Sequence, residues 1–522
     1  MDMQQALQLV QARVNEARTS LPANTEIEVE RVTPALFPIL SLVLNGNVPD
    51  VDLRDFAVYN LKPYFSRVPG VGRVEVDASD VREISVIVDP QKALAHRLSL
   101  PDIAERLRAT NNVTSVGRLD SNYQQFLVLT NAQFKSVEEV GTVVVSGDPQ
   151  SPVRLRDVAT IREGVQDRKV LVTGNGRPAA VINVTRQIGG NIVSISDQVK
   201  ALAFQSHNVI PGTLRLSTVY DLAEFVKESI ASVRDAVIIG GFLAIVILFI
   251  FLRQVRITVA AAVTLPLTVI ATFFFVKMLG GTLNLMSLGG LAIAIGLVID
   301  DSVVVVENIY RHLGAGEAIH DAVEKGTAEL IGPVVGSTLT TVVVFLPLGY
   351  LKGTVGDFFS ALSLTLSASV LLSLVFSLTL IPLLCEYLLA HSHFRESSSR
   401  FIEPVNRSYE KGIRWALDHK KLVGLAMVAL IALPAIAYFR LSTGFLPEMD
   451  EGGFVLDYLT PAGTSLSQTN SLAQQLEQKV AKVPEQSAFS RRTGAELGLF
   501  ATEQNKCDIL VKLKPRSERD RS

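Results

Sequence analysis

Asp300 and Asp301 stand side by side in GLVIDDSVVVVEN (Gly296–Asn308), inside an apolar run that starts at Leu285 and reaches Val306. Aspartate at the centre of a membrane helix costs about 3 kcal/mol on the insertion scale. Two neighbours therefore need a reason to be there, and the chemistry a buried carboxyl offers is reversible proton binding. Burial and mutual repulsion favour the protonated form of at least one of them, and any titration belongs to the coupled pair. Three readings compete: the cytoplasmic end of a span, a structural polar knot, and a proton-coupling site. The valines after Ser302 extend the apolar character by a further turn, which argues against the first and favours the third. Adjacent helical residues point about 100° apart, so the two cannot both face lipid or both face one partner. The pair is expected within a helix bundle. Gly289, Gly290 and Gly296 remove bulk just upstream and let neighbouring helices approach. Ionised aspartate wants a countercharge, and no apolar run of this chain has Lys or Arg in its interior. Ser337, Thr338, Thr340 and Thr341, on the fourth run, can hydrogen-bond the carboxyls without supplying charge. Glu307 and Asn308, past the valines, read as interfacial. An intramembrane aspartyl protease needs its two aspartates on separate helices. The remaining acids beside the spans, Asp357 in an outer loop and Glu386 at an inner edge, do not supply the second.

The elements that position this pair follow from a sharp partition of the 522 residues, which average 48% hydrophobic and 19% charged with mean hydropathy +0.33. Residues 1 to about 232 are mixed and charged; long apolar runs then dominate to Phe439, and polar character returns after Leu441. Six runs approach the length a bilayer demands: Ala236–Leu252, Ile257–Val276, Leu285–Val306, Ile331–Tyr350, Phe358–Leu384 and Leu422–Phe439. They lack the alternating ten-residue segments of a membrane barrel. One set of loops holds Arg253, Arg256, Arg311, Lys325, Arg395, Arg400, Arg407, Lys411, Arg414, Lys420 and Lys421, the other only Lys277 and Lys352. The basic side is cytoplasmic. An even number of spans then puts both flanking regions on the outer side. The predicted fold class is an α-helical membrane bundle of six spans flanked by extracytoplasmic α+β subdomains.

A net charge of -2 and the lack of a basic stripe argue against a nucleic-acid partner. Cys385 and Cys507 fall on opposite sides of the membrane and form no disulfide framework, and no residue cluster reads as a metal or cofactor site. No nucleophile–base constellation points to an enzyme; Asp157 and Asp450 read as turn and surface carboxylates. MDMQQALQLVQARVNEA lacks a signal-peptide pattern, although a large outer domain needs exporting.

In the outer region, strands and helices alternate. Residues 5–19 read as a helix, FPILSLVLNG as strand, LRDFAVYNLKPYFSRV as helix and RVEVDA as strand. REISVIVDP, FLVLT, VGTVVVSG, VRLRDVATI (Val153–Ile161) and AAVINVTRQ add strands; SLPDIAERLRAT and Ile192–Phe204 add helices. PGVG (Pro69–Gly72) and IGGN (Ile188–Asn191) match no phosphate-loop pattern and read as turns. After the last span a strand, the helix SLAQQLEQKVAKV and the strand DILVKLKP begin another such unit.

GGTLNLMSLGGLAIAIGLVIDDSVVVVENIYRH (Gly280–His312) resembles the fourth transmembrane helix of resistance-nodulation-division (RND) exporters, and GSTLTTVVVFLPL (Gly336–Leu348) the helix after it. PGVGRVEV, VRLRDVA, FVKESIASVRDA, GFLPEMDEGGF and LTPAG match outer-domain and junction patterns. The hydrophobe/amphiphile branch is the best match, since heavy-metal members typically carry a single aspartate. The resemblance implies the following division: 1–35 a partial first porter subdomain, 36–81 and 173–232 the two parts of a second, 82–172 a docking-type subdomain, 233–390 five spans, 391–421 a cytoplasmic amphipathic linker, 422–440 the sixth span, and 441–522 the truncated start of a third porter subdomain. It also implies that the chain is the N-terminal half of a longer protein, with the family's first transmembrane helix preceding residue 1. Thr110–Phe126 is shorter than the docking hairpin of drug pumps, and Gly498–Asn505 lies where a switch loop belongs.

By the same resemblance Asp300 and Asp301 correspond to the two relay aspartates, whose cationic partner comes from a later helix. The implied function is proton-driven efflux of small amphiphilic compounds across the bacterial inner membrane. The implied assembly is a homotrimer with a periplasmic adaptor and an outer-membrane channel, and this chain alone is expected to be inactive. The alternative is a non-transporting membrane scaffold or partner subunit that keeps the helix bundle.

Overall fold

The computed structural model describes residues 3–22, isolated positions between 25 and 35, and residues 37–148, 151–205, 210–252, 255–389, 402–441, 450–497 and 503–520. The chain divides into an outer unit, Met1–Phe225 with Asp450–Ser522, and a membrane unit, Val226–Met449.

Two antiparallel sheets organise the outer unit. The first runs in the order Leu214–Asp221, Leu40–Gly46, Ala180–Arg186, Val71–Ala78. Its strand LSLVLNG is nearly continuously apolar because both faces are covered. Leu40, Leu42 and Leu44 pack on helical residues Leu53, Leu61, Phe65, Ile195 and Val199, while Val43 joins Val172, Val181, Val219 and Leu510 on the other face. The second sheet is ordered Arg177–Pro178, Leu171–Gly174, Gln486–Thr493, Lys506–Leu513, Gly453–Leu459. Sequence reading puts residues 173–178 in the second subdomain and treats the tail as a separate unit. Instead, Leu171–Gly174 pairs with the tail strand Gln486–Thr493, Arg492 opposite Val172 and Arg491 opposite Thr173, and Arg177–Pro178 pairs back on Leu171–Gly174. Gly174 lets this strand lie close against Leu40–Gly46 of the first sheet, since an added Cβ would run into the Val43 side chain.

Val153–Ile161, expected as one strand, is strand Ser151–Arg154, a helical turn Leu155–Val158 and strand Ala159–Val165. The break has a local cause, since Asp157 accepts the Arg154 backbone N–H at 2.8 Å and caps a turn. Val113–Ser121 and Gln124–Asn131 form a hairpin whose second strand is exposed throughout. Asn122 and Tyr123, both at positive φ, make its two-residue turn. The PGVG and IGGN segments are adjacent turns, joined by Gln187 N–H donating to Gly70 C=O at 2.8 Å.

Among the described residues, six helices of the membrane unit are long and apolar enough to cross a bilayer. The first, Leu222–Leu252, begins well before its apolar run. The second is Val255–Met278, and the third, Leu285–Gly314, continues past Val306. The fourth is Ile319–Phe345, followed by a 3-10 turn, Leu346–Tyr350. The fifth is broken at Thr379 into Thr354–Leu378 and Leu380–Leu389, where Pro382 has no N–H to give the carbonyl four residues back. The sixth is Lys420–Tyr438, which buries no residue, preceded by the amphipathic helix Ile402–Asp418. The third helix is the hub, burying Leu291, Ala294, Ile295, Val298, Ser302, Val305, Val306 and Ile309 at helical spacing. Residues 391–401 of the predicted linker, residues 444–449 of GFLPEMDEGGF, and 498–502 of the predicted switch loop lie outside the described residues.

Candidate membrane-embedded carboxylate site

Two close backbone approaches hold the third helix. At Gly290 an added Cβ would lie 2.7 Å from Leu362 O of the fifth helix, and at Gly326 of the fourth helix 3.0 Å from Ile309 Cα of the third. Gly289 and Gly296 meet nothing within 4 Å. Gly296 instead lines an open apolar cavity of about 310 Å³ with Ala236, Val237, Gly240, Ala292 and Ile299, between the first and third helices.

Within this frame the two aspartates part company. Asp301 is half-buried and faces the fourth helix, where Thr338 Oγ1 lies 3.2 Å from its Oδ2. Asp300 is exposed, on a face that no described helix of this chain covers. The expectation that both lie inside the bundle is corrected here: with 100° between them, turning Asp301 to the fourth helix turns Asp300 away. Among the described residues no Lys or Arg pairs with either carboxylate.

Of the four hydroxyls predicted on the fourth helix, Thr338 alone is bonded to an aspartate. Ser337, Thr340 and Thr341 donate to carbonyls of their own helix, at Val334, Gly336 and Ser337. Thr338 also lies 2.8 Å from Val334 O. Its single proton cannot serve Asp301 and Val334 together. An ionised Asp301 takes that proton; a protonated Asp301 can donate its own to Thr338 Oγ1 and leave the Thr338 proton on Val334. One side chain fits both charge states by rotating a hydroxyl.

Sequence reading passes over a second polar group on the third helix, turned toward the second and fifth helices rather than the fourth. Ser302 Oγ lies 3.2 Å from Thr264 Oγ1 of the second helix, and Ser373 of the fifth donates to Val298 O at 3.0 Å. All three side chains are buried. The signal was present as hydroxyls every fourth residue, Thr264, Thr268 and Thr272 in one span and Thr365, Ser369, Ser373 and Ser377 in another. Asn308 is likewise more than interfacial: its Nδ2 donates to Gly326 O at 2.7 Å and ties the third helix to the fourth.

A profile of the AcrB/AcrD/AcrF family matches residues 1–522. Among curated relatives, multidrug resistance protein MdtC of Escherichia coli O139:H28 (strain E24377A / ETEC) is 31% identical over 526 residues, covering 99% of this chain and 51% of the relative. Proteins of the same name from Escherichia coli O1:K1 / APEC and Shigella sonnei (strain Ss046) match with the same identity and coverage. The chain spans about half the length of the curated relatives it matches.

Proposed function

The chain belongs to the AcrB/AcrD/AcrF family of RND transporters, and from that premise we propose that it forms part of a proton-driven exporter of small amphiphilic compounds. It is a multi-pass inner-membrane protein with large periplasmic domains, and its family speaks for transport rather than catalysis. The observation that carries the coupling reading is the Thr338–Asp301 contact, a titratable carboxyl bonded across two membrane helices by a partner that suits either protonation state.

In this reading a periplasmic proton reaches Asp300 or Asp301 and cancels a charge. Asp301 then donates to Thr338, and the third helix settles differently against its neighbours. Release to the cytoplasm restores the carboxylate, to which Thr338 turns its proton. A membrane potential of 100 mV adds about 2.3 kcal/mol per proton, enough to bias a conformational equilibrium of a few kcal/mol. The exposed face of Asp300 is where a cation from a later helix of the full-length protein would sit, as the family resemblance implies. We further propose a homotrimer working with a periplasmic adaptor and an outer-membrane channel. The exposed Val113–Asn131 hairpin, with Val116, Leu119, Phe126 and Leu129 open to solvent, supports contact between subunits.

The test is Asp301→Asn in the full-length protein, expressed in a pump-deficient host. Export is expected to cease while the protein still assembles and inserts. Retained efflux by that variant would defeat the proposal.

A further inference from the structure

At the cytoplasmic end of the third membrane helix, His312 is caught between two carboxylates from different elements. Its Nδ1 lies 3.1 Å from Oε1 of Glu317 in the connecting turn, and its Nε2 lies 3.2 Å from Oε2 of Glu329 on the fourth helix. The ring is 13% exposed. Nε2 is fully enclosed and makes no well-aligned hydrogen bond despite that distance.

The surrounding charges are accounted for. Arg311 Nη2 lies 2.8 Å from the same Glu329 oxygen, and Lys325 Nζ lies 3.3 Å from Glu317 Oε2. Asn308 Nδ2 donates to Glu329 at 3.2 Å. From the fifth helix Glu386 is engaged by His320 at 3.0 Å, and from the second helix Arg256 reaches Leu388 O at 3.5 Å. The rest of the packing is apolar, with Leu313, Ala322, Val323 and Leu389 in one cluster.

A neutral imidazole has one N–H, so it can satisfy one carboxylate and must turn a lone pair toward the other. The imidazolium donates to both. We propose that His312 is a proton-binding site separate from the aspartate pair, and that its occupancy clamps the third and fourth membrane helices together at the cytoplasmic face. The Gly326–Ile309 approach shows how close the helices already are there. The same two helices are joined by Asp301 and Thr338, about 17 Å further along the axis at 1.5 Å per residue. The clamp rests on its own geometry and stands whether or not the aspartates couple to transport.

Amide exchange across the turn Leu313–Ala318 tests it, measured on the whole chain in lipid nanodiscs at about pH 6 and about pH 9, below and well above an ordinary imidazole's range, with intrinsic rates divided out. Protection at the acid pH is expected to be about 10-fold stronger, the worth of one hydrogen bond to a charged group. His312→Gln, which keeps a donor but never charges, is expected to abolish the difference, and Glu317→Gln to reduce it. Nitrogen NMR of labelled histidine, assigned by the resonance lost in His312→Gln, is expected to show both ring nitrogens protonated at the acid pH. An equal pH response in wild type and His312→Gln, or a ring that stays neutral at the acid pH, overturns the proposal. Asp301→Asn is expected to leave the exchange response intact, which separates failure of the clamp from failure of the coupling reading.

Discussion

Buried charge is handled in opposite ways in the two units. In the outer unit Arg492 is fully buried and grips Asp508 with two bonds, at 2.8 and 3.0 Å, while Asp508 also accepts the Leu497 backbone N–H. Arg491 beside it donates to Glu477 at 3.0 Å, Asn470 at 2.8 Å and Thr493 at 2.5 Å, and Thr173 completes Glu477 at 2.6 Å. In the membrane unit Asp301 has a single hydroxyl and, among the described residues, no cation. A charge that holds a sheet together can be met by fixed opposite charges, because it never changes; of the Arg492 guanidinium, Nη1 makes no hydrogen bond among the described residues and lies 3.7 Å from Asp77 Oδ2. A carboxyl meant to gain and lose a proton is better served by a partner that is neutral and can reverse its hydrogen bond. On the proposed reading, the contrast separates structural from working charge on physical grounds.

Breaking the outer network should have the largest effect on stability. Arg492→Met leaves Asp508 buried and unpaired, and is expected to cost about 3–5 kcal/mol. Labelling of the buried Cys507 thiol on a Cys385→Ala background would report it as a large rise in reactivity. If Asp301→Asn destabilises the membrane unit by as much, the distinction collapses. A smaller effect belongs to the helix crossing: Gly326→Val would push into Ile309 Cα and should cost about 1–3 kcal/mol as overpacking, read as a lower melting temperature in detergent.

Next comes Thr338→Val, which removes the reversible bond at a cost of about 1 kcal/mol but should shift the pH profile of efflux in the full-length protein. Thr338→Ser should keep that profile. A Thr338→Val pump with an unchanged profile would make the contact merely structural.

The smallest effect concerns Asp77, whose carboxyl burial pushes above the usual range, with Glu75 and Asp508 adding to the rise and Arg492 and Asn183 opposing it. Its folded state therefore prefers the neutral acid. That contribution is fully present below the unfolded carboxylate range and is lost as pH rises through the elevated folded value. Asp77→Asn, which mimics the neutral form, should slightly raise the melting temperature at neutral pH and flatten its fall between mildly acidic and neutral solution. A lower melting temperature at neutral pH would show that the carboxylate form is the stabilising one.

Six membrane helices, their orientation and the position of the aspartate pair were legible because they depend on local quantities: the length of apolar runs, the sign of loop charges and the desolvation cost of a carboxyl. The Leu285 start of the third helix belongs to the same class. Residues 171–178 could not be assigned to the tail's sheet this way, since a strand's partner is set by register with a segment about 300 residues away. Nor could a single span reveal that Asp301 faces Thr338 while Asp300 faces outward; a helical wheel separates them by angle but does not say which neighbour lies where. His312 between Glu317 and Glu329 is the clearest case, because its meaning lies in two distances across a turn. The amino-acid order alone determined which segments must leave water and which carboxyls resist doing so. Only the packed structure decided which partner each carboxyl meets, because hydrogen bonds and close backbone contacts depend on positions that distant parts of the chain supply.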